Sequence, residues 1–146
     1  MKIALGSDHA GFQLKDSLKR FLESKNLSYT DFGVFNMDED DYPQYAYKAC
    51  NAILQDQYDR GILICGTGIG MCITANKFKG IRAAMAYDIE MAQLSRLHND
   101  ANVLCLGGRH IKESLAMDIV DVWLSTSFEG GRHQRRVELI NNLTGL

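Results

Sequence analysis

The sequence predicts a doubly wound α/β fold, a five-stranded parallel sheet with helices on both faces, in one domain covering residues 1–146. Three observations carry that reading. Short β-type runs alternate with amphipathic helical patterns from end to end, and 146 residues suit a single domain. The middle run, Gly61 to Cys65, is apolar throughout rather than alternating, as a strand buried on both faces of a parallel sheet must be.

The elements follow in order. Lys2-Ile3-Ala4-Leu5 is the first strand, and Leu14, Leu18, Phe21 and Leu22 recur at helical spacing behind it. Ser28 to Phe32 is the second strand, ending before Gly33. Asp38-Glu39-Asp40-Asp41 reads as an exposed acidic loop, with Asp41 placed to cap the next helix and Pro43 in its first turn. Ala46, Ala49, Cys50, Ile53 and Leu54 form that helix's apolar stripe. After the third strand come a helix over about Ile69–Phe78 and a fourth strand near Ile81–Tyr87. Asp88 caps a helix with Met91, Leu94 and His98 on one side. Val103 to Leu106 is the fifth strand, and Ile111, Leu115, Ile119 and Val122 mark the helix after it. A last helix spans about Arg132–Leu143. This succession is Rossmann-like or flavodoxin-like; in the common strand order 2-1-3-4-5, strands one and three flank the point where the order reverses.

Composition narrows the function classes. Sixteen basic residues against 18 acidic leave a net charge of −2, so no strong field draws the chain to nucleic acid or to an anionic membrane. Its apolar stretches are too short to span a bilayer, and Gly6-Ser7-Asp8-His9 arrives too early for a secretory signal. The four cysteines show no CxxC pair and read as reduced thiols of a cytoplasmic protein.

Ligands of open α/β sheets bind beyond the carboxyl ends of the strands. Three such ends are rich in polar residues: Ser7-Asp8-His9-Ala10-Gly11, Cys65-Gly66-Thr67-Gly68-Ile69-Gly70 and Gly107-Gly108-Arg109-His110. The glycine loop at 66–70 lets backbone N–H groups approach an oxyanion, helped by the positive end of the following helix. It is neither a dinucleotide fingerprint nor a Walker loop, and its plainer reading is a tight turn with Thr67 as a local hydrogen bonder. Cys65, beside that helix start, is placed to act as base or nucleophile, or else is a buried core cysteine; Cys50, Cys72 and Cys105 read as packing. His98, ahead of Asn99-Asp100, suits proton transfer or simple packing. Asp8 and His9 suit sugar hydroxyls or phosphate, unless Asp8 merely caps a helix. The four histidines lack metal-ligand spacing, so no metal site is expected. Arg132 and Arg136 share a helical face, either as a bidentate phosphate clamp or as a solvated basic face.

Together these segments closely resemble the ribose-5-phosphate isomerase B branch of the sugar-phosphate isomerases, a family that includes galactose-6-phosphate isomerases. The matching stretches are Gly6-Ser-Asp-His-Ala-Gly11, Asp41-Tyr-Pro43, Ile64-Cys-Gly-Thr-Gly-Ile-Gly70, Ala75-Asn-Lys77, Gln93-Leu-Ser-Arg96, His98-Asn-Asp100 and Glu129-Gly-Gly-Arg-His133, nearly the full length in the expected order. The resemblance implies interconversion of ribose 5-phosphate and ribulose 5-phosphate through a cis-enediolate, with neither metal nor organic cofactor. It implies that His98 helps open the furanose ring, with Asp8 and Thr67 nearby, and that Cys65 moves the proton between C2 and C1. Gly66, Thr67, Gly68, Ile69 and Gly70, with Asn99, would form the anion hole. Asp8 and His9 would contact substrate, and Arg109, Arg132 and Arg136 would bind its phosphate. Met71 stands where a second branch of the family carries a glutamate, so the chain resembles the cysteine branch. Relatives of this kind form homodimers whose C-terminal segment, here the helix over about 132–143, enters the partner's site; a tetramer is the larger possibility. Two other readings stand beside this one: an isomerase of a six-carbon phosphate such as allose or galactose 6-phosphate, and a non-catalytic phosphate-binding module of flavodoxin-like type.

Overall fold

The computed structural model describes residues 1–38, 40–55 and 57–146. Five parallel strands form one sheet: β1 (Lys2–Ser7), β2 (Ser28–Asp31), β3 (Arg60–Cys65), β4 (Ala83–Met85) and β5 (Val103–Gly107). The helices are α1 (Phe12–Ser24), α2 (Tyr42–Leu54), α3 (Ile69–Ala75), α4 (Ile89–Asn99), α5 (Glu113–Ser125) and α6 (Arg132–Thr144), and a short 3-10 turn covers His9–Gly11.

Strand alternation sorts the core into two layers. Ile3, Leu5, Ile62, Ile64, Leu104 and Leu106 face Leu14, Leu18 and Leu22 of α1, Ala92 of α4, and Ile119, Val120 and Trp123 of α5. Ala4, Leu63, Cys65, Val103 and Cys105 face α2, through Ala46, Ala49, Cys50 and Ile53, and α3, through Met71 and Ala75. The middle strand is covered on both faces as its composition requires: Ile62, Leu63 and Ile64 are all 0% exposed. Each such side chain contributes about 1.5–3 kcal/mol of apolar burial. Helix α6 stands apart from this sandwich, packed on α4.

The strand order is β2-β1-β3-β5-β4, which corrects the expected order 2-1-3-4-5. The five-residue β5 pairs with β3 along its whole length, Gly61↔Val103 through Cys65↔Gly107, while β4 offers only three residues and takes the edge. A short edge strand limits the unpaired backbone exposed to other chains. The exchange places the ends of β1, β3 and β5 side by side. The third helix ends at Ala75 rather than near Phe78, because Asn76 turns out to bridge to β4, its Nδ2 donating to the Ala83 carbonyl and its Oδ1 accepting from the Ala83 amide, both at 2.9 Å. Asp88 caps α4 through the Met91 amide, as expected, whereas Asp41 holds the N-cap position of α2 without a side-chain cap bond. Within the acidic loop, Glu39 lies outside the described residues.

Candidate active site

The adjoining ends of β1, β3 and β5 gather one group of the expected residues. The Asp8 amide donates to the Ile64 carbonyl at 3.2 Å, tying the chain leaving β1 to the end of β3. Asp8 is 6% exposed, and its carboxylate accepts from the Gly11 amide at 3.0 Å. His9 in the same turn accepts at Nδ1 from the Asp40 amide at 3.3 Å. On the other side, the Gly108 amide donates to the Cys65 carbonyl at 2.8 Å and the Arg109 amide to the Gly66 carbonyl at 3.1 Å. The Arg109 side chain runs along Gly66.

Cys65 closes β3, buried at the bottom of the glycine loop. Its Sγ accepts from the Gly68 amide at 3.2 Å, and Thr67 Oγ1 accepts from the Ile69 amide at 3.2 Å. Gly68 has φ 82°, a left-handed conformation open to glycine at little cost. A side chain there would also meet the Leu106 carbonyl carbon at 3.0 Å. The first amides of α3 have no partner within the helix and carry its positive end. A thiol, a guanidinium and backbone donors therefore converge at one strand-end cleft, a set suited to moving a proton beside a developing oxyanion.

Two aromatic residues complete this cleft. The Tyr42 ring packs directly over Gly70, and the Tyr87 hydroxyl donates to the Thr67 carbonyl at 2.5 Å. Tyr42 was visible only as part of the Asp41-Tyr-Pro43 stretch, and Tyr87 only as the end of a strand. Neither hydroxyl-bearing ring breaks an apolar pattern, so periodicity gives no signal for them.

His98, Asn99, Arg132 and Arg136 form a second group, at the opposite end of the sheet. Helix α4 starts beside the carboxyl end of β4 and runs back for roughly 16 Å over its 11 residues. It ends against Arg82, the residue before β4, whose Nε donates to the carbonyls of Asn99 (3.1 Å) and Asp100 (3.0 Å). Within one chain, Asp8 and Thr67 are therefore not the neighbours of His98; the direction of α4 forbids it. His98 instead stacks on His133 of α6, ring centroids 4.1 Å apart and 6° from parallel, and its Nε2 lies 3.8 Å from Glu129 Oε2. His133 is buried, and burial followed by the charge of His98 lowers its pKa from the ordinary 6.5. Arg132 and Arg136 lie exposed along the first turns of α6. Among the described residues, neither they nor Arg109 meets a carboxylate within ion-pair distance.

Known proteins share this sequence and fold. Residues 3–140 match the model of a family described as Ribose/Galactose Isomerase. The chain belongs to the ribose/galactose isomerase family. It is 49% identical over 139 residues to the ribose-5-phosphate isomerase B of Escherichia coli, covering 95% of this chain and 93% of that one. The structure of Clostridium thermocellum ribose-5-phosphate isomerase B superposes with TM-score 0.98 at 47% identity, over 99% of this chain and 98% of the other. That of the Mycoplasma genitalium ribose-5-phosphate isomerase B with bound ribulose-5-phosphate gives TM-score 0.93 at 42% identity, over 99% and 96%.

Other groups of this isomerase bear on what it can bind. The ligand atoms of His98, Glu129 and His133 lie within 4.8 Å of one another, close enough to approach one cation. Arg132 Nε, however, donates to His133 Nε2 at 3.3 Å, so a positive charge already holds that nitrogen. Cys50 and Cys105 are buried, and burial raises both thiols' pKa, that of Cys50 to about 12. Cys72 is half-buried and packs against the same layer as Met71 and Ala75; hydrogen bonding with Cys105, opposed by burial and aided by Asn76, pulls its pKa down to about 7. Among the described residues no helix is long and apolar enough to cross a membrane.

Proposed function

We propose that this chain interconverts D-ribose 5-phosphate and D-ribulose 5-phosphate in the cytoplasm, without a metal or organic cofactor, as a homodimer with shared sites. The observation that carries the chemistry is the Cys65 sulfur held by the Gly68 amide at 3.2 Å where three strand ends meet. The observation that carries the pairing is that His98, Asn99, Arg132 and Arg136 stand at the far end of the same chain. A second copy brings its far end to the first copy's thiol, and the C-terminal helix over about 132–143 is the segment that crosses. Apolar side chains are available to hold the pair, with Ile73 of α3 58% exposed and Leu143 of α6 77% exposed.

In the proposed reaction His98 assists ring opening, in which the anomeric hydroxyl loses its proton and the ring oxygen gains one. Asp8, His9 and Thr67 hold the open chain. The Cys65 thiolate then takes the proton from C2, the electron pair forms the C1–C2 double bond, and negative charge gathers on O1. Amides of Gly66, Thr67, Gly68, Ile69 and Gly70, with Asn99, stabilise that enediolate. The O2 hydroxyl proton passes to O1, moving the charge to O2; the carbon-bound proton then returns from the thiol to C1 as the C2–O2 double bond forms, giving the ketose and regenerating the thiolate. Arg109, Arg132 and Arg136 hold the phosphate, whose dianion matches planar guanidinium donors.

The test is ketose formation from ribose 5-phosphate, run beside six-carbon phosphates, with wild type and Cys65→Ala. We expect the five-carbon phosphate to be preferred. The variant is expected to lose at least about 100-fold in rate with an unchanged circular dichroism spectrum. Wild-type turnover by Cys65→Ala removes the thiol from the mechanism, and no turnover of any phosphate leaves a binding module.

A further inference from the structure

We propose that Tyr87 is a positioning residue that tunes Cys65 through the peptide group between them; the proposal rests on the reading of Cys65 as the base. The Tyr87 hydroxyl donates to the Thr67 carbonyl at 2.5 Å. The amide of that same peptide unit, Gly68 N–H, donates to Cys65 Sγ at 3.2 Å. Phenol, peptide and sulfur thus form one directed chain of hydrogen bonds.

The peptide in the middle is held on its other side as well. Gly107 of β5 faces it so closely that a Cβ would stand 2.8 Å from the Thr67 carbonyl oxygen. Its partner Gly68 takes the left-handed φ of 82° that turns the amide toward the sulfur. The plane of the peptide is fixed by β5, and the hydroxyl fixes which way its dipole is drawn.

A donor on a carbonyl draws electron density to the oxygen and makes the attached N–H a stronger donor. A stronger N–H donor favours thiolate over thiol, because only the thiolate is a strong acceptor. The Tyr87 hydroxyl bonds to the Thr67 carbonyl and not to the sulfur, so its effect on Cys65 passes through the peptide. It also leaves the guanidinium side of the cleft untouched and so bears on proton transfer more than on phosphate binding.

Within the chain, the titratable and charged groups around Cys65 are Asp8 and His9 after β1, Arg109 after β5, the thiols of Cys105, Cys72 and Cys50, and the Tyr42 phenol over the loop; the proposed pairing adds His98, Arg132 and Arg136 of the second copy. None of them is altered by Tyr87→Phe, which keeps the ring and deletes the donor.

The experiment compares Tyr87→Phe with wild type by the pH profile of kcat/KM. It also follows the ultraviolet absorbance of the Cys65 thiolate, isolated by subtracting Cys65→Ser. Tyr29→Phe, which deletes a phenol bonded to Glu23 far from the cleft, serves as control and is expected to match wild type. In Tyr87→Phe both the rising limb of the rate profile and the thiolate transition are expected to move up by about 0.3 pH unit, with KM within about twofold. Coincidence of both curves with wild type overturns the proposal and leaves Tyr87 a packing residue, whatever its effect on melting temperature. A thiolate transition that moves under an unmoved rate profile supports the relay and removes Cys65 as the base.

Discussion

Cys65 sits where a strand ends and a glycine loop leads into a helix, and the peptide conformation around it is restrictive. Gly68 has to adopt φ 82° so that its amide meets the sulfur, and its missing side chain leaves the Leu106 carbonyl room. Gly68→Ala is therefore expected to lower stability by about 1–2 kcal/mol, measured by urea denaturation, and to cut kcat more than KM. An equal loss in kcat and KM with unchanged stability would show that the loop tolerates a side chain. Most residues of this cleft were legible in the sequence, because a parallel sheet announces its ligand side: polar residues directly after apolar strands. Tyr87 was not legible. Its importance lies in a hydrogen bond to a residue 20 positions away, which no local pattern encodes.

At the scale of elements, Lys15 is the clearest constraint. It rises from α1 with a side chain 1% exposed and ties Asp31 at the end of β2 at 2.7 Å, with a further bond to the Val34 carbonyl. Desolvation lowers its pKa below 10.5, outweighing the opposing pull of Asp31. Between that lowered value and 10.5 the unfolded chain binds more protons than the folded one, so this group makes stability rise with pH across the window. Lys15→Met deletes that slope and strands Asp31. We expect a loss of about 3 kcal/mol near neutral pH and a widening deficit against wild type at alkaline pH in urea titrations. A constant deficit would show that Lys15 keeps its ordinary titration. The helix stripes and the buried β3 could be read from periodicity. The exchange of β4 and β5 could not, because both runs are short and apolar, and which of them lies beside β3 is settled by pairing length and crossover packing.

Across the whole molecule, the direction of α4 divides the candidate residues between two ends of one chain. The residue types of both ends were readable, and the resemblance already set the C-terminal helix apart, but the separation of His98 from Asp8 and Thr67 was not readable, since strand order and helix direction arise only on folding. Mixing Cys65→Ala chains with His98→Ala chains tests the proposed pairing. Each alone is expected to be inactive, and random pairing restores about a quarter of wild-type activity, the share of sites with two intact halves. A mixture as inactive as its parts would place the complete site within one chain. The same division has a thermodynamic consequence. On the proposed pairing, a sugar phosphate touching Cys65 of one copy and Arg132 of the other would be shared by both chains and would bind only the assembled form. By linkage, substrate would then act as an adhesive, tightening the association of the copies and raising their melting temperature most where the protein is dilute enough to come apart.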